Sequence, residues 1–199
     1  MNVIDSINGL FNNPKLRSTL VAYRIPLTII FILVLLFLMK PEYFWMGFII
    51  SMLGEAIQVW CFASINKNKE LSTNGPYAIM RNPMYIGRYL LILGGIITTG
   101  SWILAAFYTI IYYFYMVNRV KREEEVLVRI FGDNYKKYCK QVNRFVPTFR
   151  QVNWKDILYF KWNLFFKNHA HYNLIAVLVA YCVAYFFLFY GKQFLDSLF

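Results

Sequence analysis

The chain has 199 residues, 59% of them hydrophobic, 20% aromatic and only 16% charged, with a mean hydropathy of +0.42. A soluble domain is roughly 45–50% apolar and about 25% charged, so this composition excludes an ordinary water-soluble fold and points to lipid as the solvent. The net charge of +11 is not the footprint of a nucleic-acid binder, because the basic residues alternate with long apolar runs, as they do in the loops of membrane proteins.

Residues 1–18 are polar and carry no cleavable signal pattern; the first apolar run starts near Leu20. A span needs roughly 20 mostly apolar residues, and five segments qualify or nearly so. The first covers 20–39, with Arg24 and Pro26 near its start. The second, 43–65, carries Glu55 and Gln58 three residues apart and so on one helix face. An acid inside a span marks either a functional site or a hydrogen bond between helices, here to Arg88 of the third span. That third span, 84–99, is short, and Arg88 sets its start at the interface; a turn at Gly100-Ser101 leads to the fourth, 101–117. The fifth covers 172–191.

Between spans four and five, 119–131 reads as a helix stopped by Gly132, followed by a short helix with Tyr135, Tyr138, Cys139 and Val142 on one face. Residues 154–167 mix Trp, Leu and Phe with lysines, the pattern of a helix lying among headgroups or else of a simple linker. Cys61, Cys139 and Cys182 have no paired spacing, so neither a disulfide framework nor a metal site is expected. Twelve Lys or Arg lie between Arg119 and Lys167, whereas Lys40 and Lys192 are the basic residues on the other side. Basic loops face the cytoplasm, which predicts an all-α, polytopic membrane bundle of about five transmembrane helices with the N-terminus and a polar cap in the cytoplasm. Its core is residues 1–150, and 151–199 adds the interfacial helix and the last span.

Two stretches carry chemistry. In Gly75-Pro76-Tyr77 through Arg81-Asn82-Pro83-Met84-Tyr85, Gly-Pro forces a turn and Asn82-Pro83 reads as a helix start. The free amides of that first turn, with Arg81, suit an anion, and the faces of Tyr77 and Tyr85 suit a cation; a plain helix start with interfacial tyrosines fits the same residues. In Arg119-Val120-Lys121-Arg122-Glu123-Glu124-Glu125, Arg119 and Glu123 share a helix face. Glu124 and Glu125 read as solvated charges.

The blocks Gly-Pro-Tyr-x-x-x-Arg-Asn-Pro-x-Tyr-x-Gly (75–87) and Arg-x-x-x-Glu-Glu-x-x-Leu-x-x-x-Phe-Gly-x-x-Tyr-x-x-Tyr (119–138), followed by Arg144-Phe145-Val146-Pro147, resemble the isoprenylcysteine carboxyl methyltransferase family over roughly residues 50–148. Phospholipid methyltransferases share its architecture. The resemblance implies an enzyme that uses S-adenosyl-L-methionine to methylate a lipid or isoprenoid-like acceptor in the membrane. By position it implies cofactor contacts at Lys69, Glu70, Leu71, Ser72, Tyr77, Arg81, Asn82, Pro83, Met84, Tyr85 and Glu123, with Arg119 on the acceptor side. If Arg119 holds the acceptor, a carboxylate is favoured over an amine headgroup. Asn82 stands where eukaryotic members have histidine, and asparagine cannot act as a base near neutral pH. The other expectations to separate are a nicotinamide-dependent membrane reductase of related fold and a small transporter.

Overall fold

In the computed structural model the described residues are 3–66, 70–149 and 153–191, with side chains from residue 4 onward. Among the described residues nine α-helices follow one another: α1 (Val3–Asn12), α2 (Pro14–Ala22), α3 (Arg24–Leu38), α4 (Pro41–Ser64), α5 (Pro83–Ile97), α6 (Trp102–Gln141), α7 (Trp154–Ile157), α8 (Trp162–Lys167) and α9 (Ala170–Phe186). A 3-10 turn, Gly75–Ala78, precedes α5, and a π-helical turn, Phe187–Gly191, extends α9.

Three of the expected spans stand as single helices long and apolar enough to cross a bilayer: Pro41–Ser64, Trp102–Gln141 and Ala170–Gly191. The other two differ. The first is broken into α2 and α3, bent by 67°; Pro26 cannot donate to the carbonyl of Ala22 and its ring crowds that turn, so the helix gives way at Tyr23. As a bent pair it would be a fourth span. The third, α5, has 15 residues, about 22 Å at 1.5 Å per residue, short of a hydrocarbon core of about 30 Å.

The centre of the bundle is the α4–α5 pair, and its closeness is written in small residues. A Cβ added to Gly54 would lie 2.5 Å from the Gly87 carbonyl oxygen, and one added to Gly94 would lie 2.4 Å from the Gly47 carbonyl oxygen. Backbones in that contact pack without the hydrophobic drive that water would supply, which is why small residues line helix contacts in lipid. Between the two glycine pairs, Ser51 Oγ donates to the Leu91 carbonyl at 2.7 Å and is hydrogen bonded with the Tyr181 hydroxyl of α9 at 2.6 Å.

The last span is bolted to α4 a second time. Asn173 Nδ2 donates to both oxygens of Glu55, at 2.8 and 2.7 Å, and Gln58 Nε2 donates to Glu55 at 3.3 Å. Glu55 is therefore held by α9, not by Arg88, whose guanidinium lies over the Tyr85 ring at 5.7 Å. Asn173→Ala is expected to leave Glu55, 1% exposed, with one amide partner. A thermal melt in detergent should show a loss of about 1–2 kcal/mol, the upper range for interhelical hydrogen bonds in membranes.

One end of the bundle is closed by the Lys40 amide donating to the Thr98 carbonyl at 2.9 Å. At the other end the chain is wrapped. Residues 154–167, expected as one interfacial helix, form α7 and α8 with a break between them. There the Tyr159 carbonyl accepts from Trp60 Nε1 and Ser64 Oγ, and the Lys161 amide donates to Ala63. Asn168 Nδ2 then donates to the carbonyls of Phe62 and Ile65 at 2.8 and 2.9 Å. These contacts with the end of α4 outcompete a continuous helix. Gly132 interrupts α6 as expected, at φ 54 and ψ −126, and beyond it Tyr135, Tyr138 and Val142 pack on Leu71.

Candidate functional site

The polar end gathers most of the chemistry-bearing residues. The turn Gly75–Ala78 is buried throughout, and Tyr138 Oη donates to the Tyr77 carbonyl at 2.7 Å, fixing that turn against the far part of α6. The Tyr77 hydroxyl lies near the Cys61 thiol. Burial holds its pKa well above the usual tyrosine range, and the nearby charge of Glu123 adds to the effect. Tyr77 is thus neutral at any physiological pH.

Tyr85 occupies the first turn of α5. Its carbonyl accepts from Tyr112 Oη at 2.8 Å, and its hydroxyl lies close enough to the Glu123 carboxylate and the Arg119 guanidinium to interact with both. Arg119 Nε donates to Glu123 Oε1 at 2.8 Å, and the two side chains remain 42% and 39% exposed. The start of α5 and the charged part of α6 therefore meet in one cluster, Tyr85–Arg119–Glu123, that ligands can reach.

Glu124 corrects the reading of a solvated charge run. It is 7% exposed. Arg81 is paired with it at 3.4 Å, Arg144 donates to its other oxygen, and Asn82 Nδ2 donates to it at 3.2 Å. The reason lies outside the helix. The segment after α6 folds back as a strap, with the Arg81 amide donating to Asn143 at 2.9 Å and the Thr148 amide donating to Ile79 at 2.8 Å. Successive helix residues point about 100° apart, so Glu123 faces α5 while Glu124 faces the strap.

Two expectations change as a consequence. Asn82 stands at the N-cap position of α5 but makes no side-chain cap bond; its side chain is turned to set Nδ2 on Glu124. Arg81, expected to reinforce an anion site, is neutralised by the same carboxylate. Glu125 is exposed, as expected.

Of the remaining positions, Glu70, Leu71, Ser72, Tyr77 and Arg81 line one cavity of about 150 Å³, together with Leu127 and Tyr135. Ser72 Oγ accepts from the Asn66 amide at 3.3 Å, Pro83 is buried and Met84 half-buried. Lys69 lies outside the described residues. Tyr77 is the common wall, lining this cavity and sitting within electrostatic range of Glu123. Arg119 also lines a larger cavity, of about 660 Å³, against the N-terminal helices, together with Arg17 and Arg122. Sequence reading missed Glu124, Arg17 and Arg122 as members of these sites; each sits in a charge-rich stretch where nothing local distinguishes it. No group of three or more His, Cys, Asp or Glu suited to a metal ion occurs among the described residues.

Fold and site define a polytopic helical membrane protein with a reachable acid–arginine–tyrosine cluster at its polar end. Residues 44–134 match the phospholipid methyltransferase family model. Over 82 residues the chain is 33% identical to the protein-S-isoprenylcysteine O-methyltransferase of Schizosaccharomyces pombe, covering 41% of this chain and 35% of that protein. It is 29% identical over 82 residues to the enzyme of the same name from Xenopus laevis, covering 41% of this chain and 28% of that one. It is also 29% identical over 104 residues to the nickel-cobalt-cadmium resistance protein NccN of Alcaligenes xylosoxydans xylosoxydans, covering 49% of this chain and 48% of that protein. The chain thus spans less than half the length of each of these curated relatives. No solved structure matches it. The resemblance to isoprenylcysteine carboxyl methyltransferases is thus matched by two relatives of that name, each over 82 residues.

Proposed function

We propose that the protein is a membrane-embedded methyltransferase that uses S-adenosyl-L-methionine and modifies a lipid-like acceptor at the cytoplasmic face, the side its loop lysines and arginines select. The observation that carries this reading is the Tyr85–Arg119–Glu123 cluster beside the cavity walled by Tyr77.

The donor set suits the cofactor's charges. Glu123, partly exposed, suits the ammonium, the tyrosine faces suit the sulfonium, and the first turn of α5 suits the carboxylate. Arg81 contributes structure rather than charge. The cavity is small beside ligand pockets of roughly 300–1,000 Å³, so occupancy would displace the segment Glu70–Ser72, of which Glu70 is exposed.

S-adenosyl-L-methionine, held by Glu123, the tyrosines and the first turn of α5, would supply an activated methyl group to an acceptor oxygen and leave as a neutral thioether. The protein's part is alignment and exclusion of water. Arg119, with Nε held by Glu123, presents its outer guanidinium nitrogens to an acceptor carboxylate and favours that acceptor over an amine. Tyr85 sets its hydroxyl beside both charged side chains at the start of α5.

Titration of the purified protein with S-adenosylhomocysteine and, separately, with NADPH tests this reading: binding of the first and not the second is expected, and the reverse would make the protein a reductase of related fold. Arg119→Lys keeps the charge and loses the planar fork, so acceptor KM should rise about tenfold or more while donor-analogue affinity changes little. Steady-state kinetics with both substrates varied would check it, and an equal loss on both sides would remove Arg119 from the acceptor role.

A further inference from the structure

The N-terminal hairpin α1–α2 precedes the family-matched residues, yet it is fixed to the site. Asn12 Nδ2 donates to Asn118 Oδ1 and Asn118 Nδ2 to Asn8 Oδ1, both at 2.7 Å, and Phe11 stacks on Phe114 at 6.5 Å. Arg122 donates to Asn12 as well. The hairpin thereby walls the cavity of about 660 Å³, which is large enough for a sizeable ligand.

That cavity has two chemistries. Leu10, Leu20, Val21 and Tyr115 give it an apolar side, and Arg17, Arg119 and Arg122 give it a cationic side. Arg17 and Arg119 are close enough to Arg122 for their charges to act on it. Arg119 has a carboxylate partner in Glu123, whereas Arg122 Nε is buried with no hydrogen-bond partner. Three guanidiniums against one bonded carboxylate leave an excess of two positive charges beside hydrocarbon. The level is also right for an amphiphile. The apolar stretch of α6 ends just before Asn118, and that of the N-terminal region begins at Leu20, so two polar–apolar borders meet at one cavity.

We infer that this cavity binds a lipid with a terminal, doubly charged phosphate head, the phosphate held by Arg17 and Arg122 and the chains lying along Leu20, Val21 and Tyr115. Guanidinium forks match phosphate oxygens, and the apolar wall selects a tailed ligand over a free anion. The inference does not require methyl transfer, since the lipid is a ligand here whether or not it is modified.

The test is native mass spectrometry and fluorescence titration of the full chain in detergent, with short-chain phosphatidic acid, the matching phosphatidylcholine and inorganic phosphate as probes. Phosphatidic acid is expected to bind at least about tenfold more tightly than either of the others, a preference abolished in the double variant Arg17→Gln, Arg122→Gln. Arg17→Glu, a single change in α2 away from the Asn12–Asn118 contacts, should weaken phosphatidic acid alone. S-adenosylhomocysteine affinity, measured on the same samples, should stay unchanged, which separates this site from the donor site. Equal binding of phosphatidylcholine, binding of inorganic phosphate as tight as the lipid, or indifference to both sets of variants would overturn the inference.

Discussion

Gly54→Leu is expected to yield no monodisperse, folded protein in detergent. A single Cβ at this position would already sit 2.5 Å from both the Gly87 carbonyl oxygen and the Leu91 amide, against about 3.5–4.0 Å for relaxed carbon contacts. The atoms it meets are helix backbone, so no side chain can swing aside. The helices would have to part, which breaks the Ser51–Leu91 bond and moves the start of α5, where Tyr85 sits. Gly54→Ala is the milder probe, with a cost of about 1–3 kcal/mol typical of overpacking. Size-exclusion profiles and thermal melts measure both; wild-type behaviour of the leucine variant would contradict the close α4–α5 contact.

The second large effect belongs to Glu124. Glu124→Gln removes the carboxylate shared by Arg81, Arg144 and Asn82, leaving the Arg81 guanidinium, 12% exposed, without its counter-charge. Breaking a buried ion pair from one side costs about 3–5 kcal/mol, a large fraction of the roughly 5–15 kcal/mol that holds a domain together. A melting temperature lower by on the order of 10 °C follows for a chain of this size. The adjacent Glu123→Gln, at a half-exposed surface pair, should melt within a few degrees of wild type, since exposed pairs contribute about 0–1 kcal/mol. Two neighbouring glutamates thus separate cleanly, one holding the fold and the other standing in the exposed cluster with Arg119.

That separation was only half legible from sequence. The four-residue spacing of Arg119 and Glu123 is a property of one helix, and the motif order brought Tyr85 toward it. The role of Glu124 depends on a strap that returns from residues 143–148 to 79–81, a contact across more than sixty positions that no local pattern encodes. The same distinction runs through the fold. Apolar length found α4, α6 and α9, whereas the bend before Arg24 needed the steric consequence of Pro26, and α5 proved shorter than a span because its ends are held by the Asn82 turn and the Thr98–Lys40 bond. Glu55 was visible as an anomaly inside a span. Its partner was not, because Asn173 lies over a hundred residues away and Arg88, the nearer candidate, found the Tyr85 ring instead.

The proposed donor site requires the Glu123 carboxylate to act as a ligand at the junction of α5 and α6. Calorimetric titration of S-adenosylhomocysteine into wild-type protein and into Glu123→Gln, each verified as folded by its melt, measures this directly. Tight binding to the first is expected, with a loss of about thirtyfold or more in the second, the scale of a charge-assisted contact of about 2 kcal/mol. Equal affinities in two equally folded proteins would contradict it.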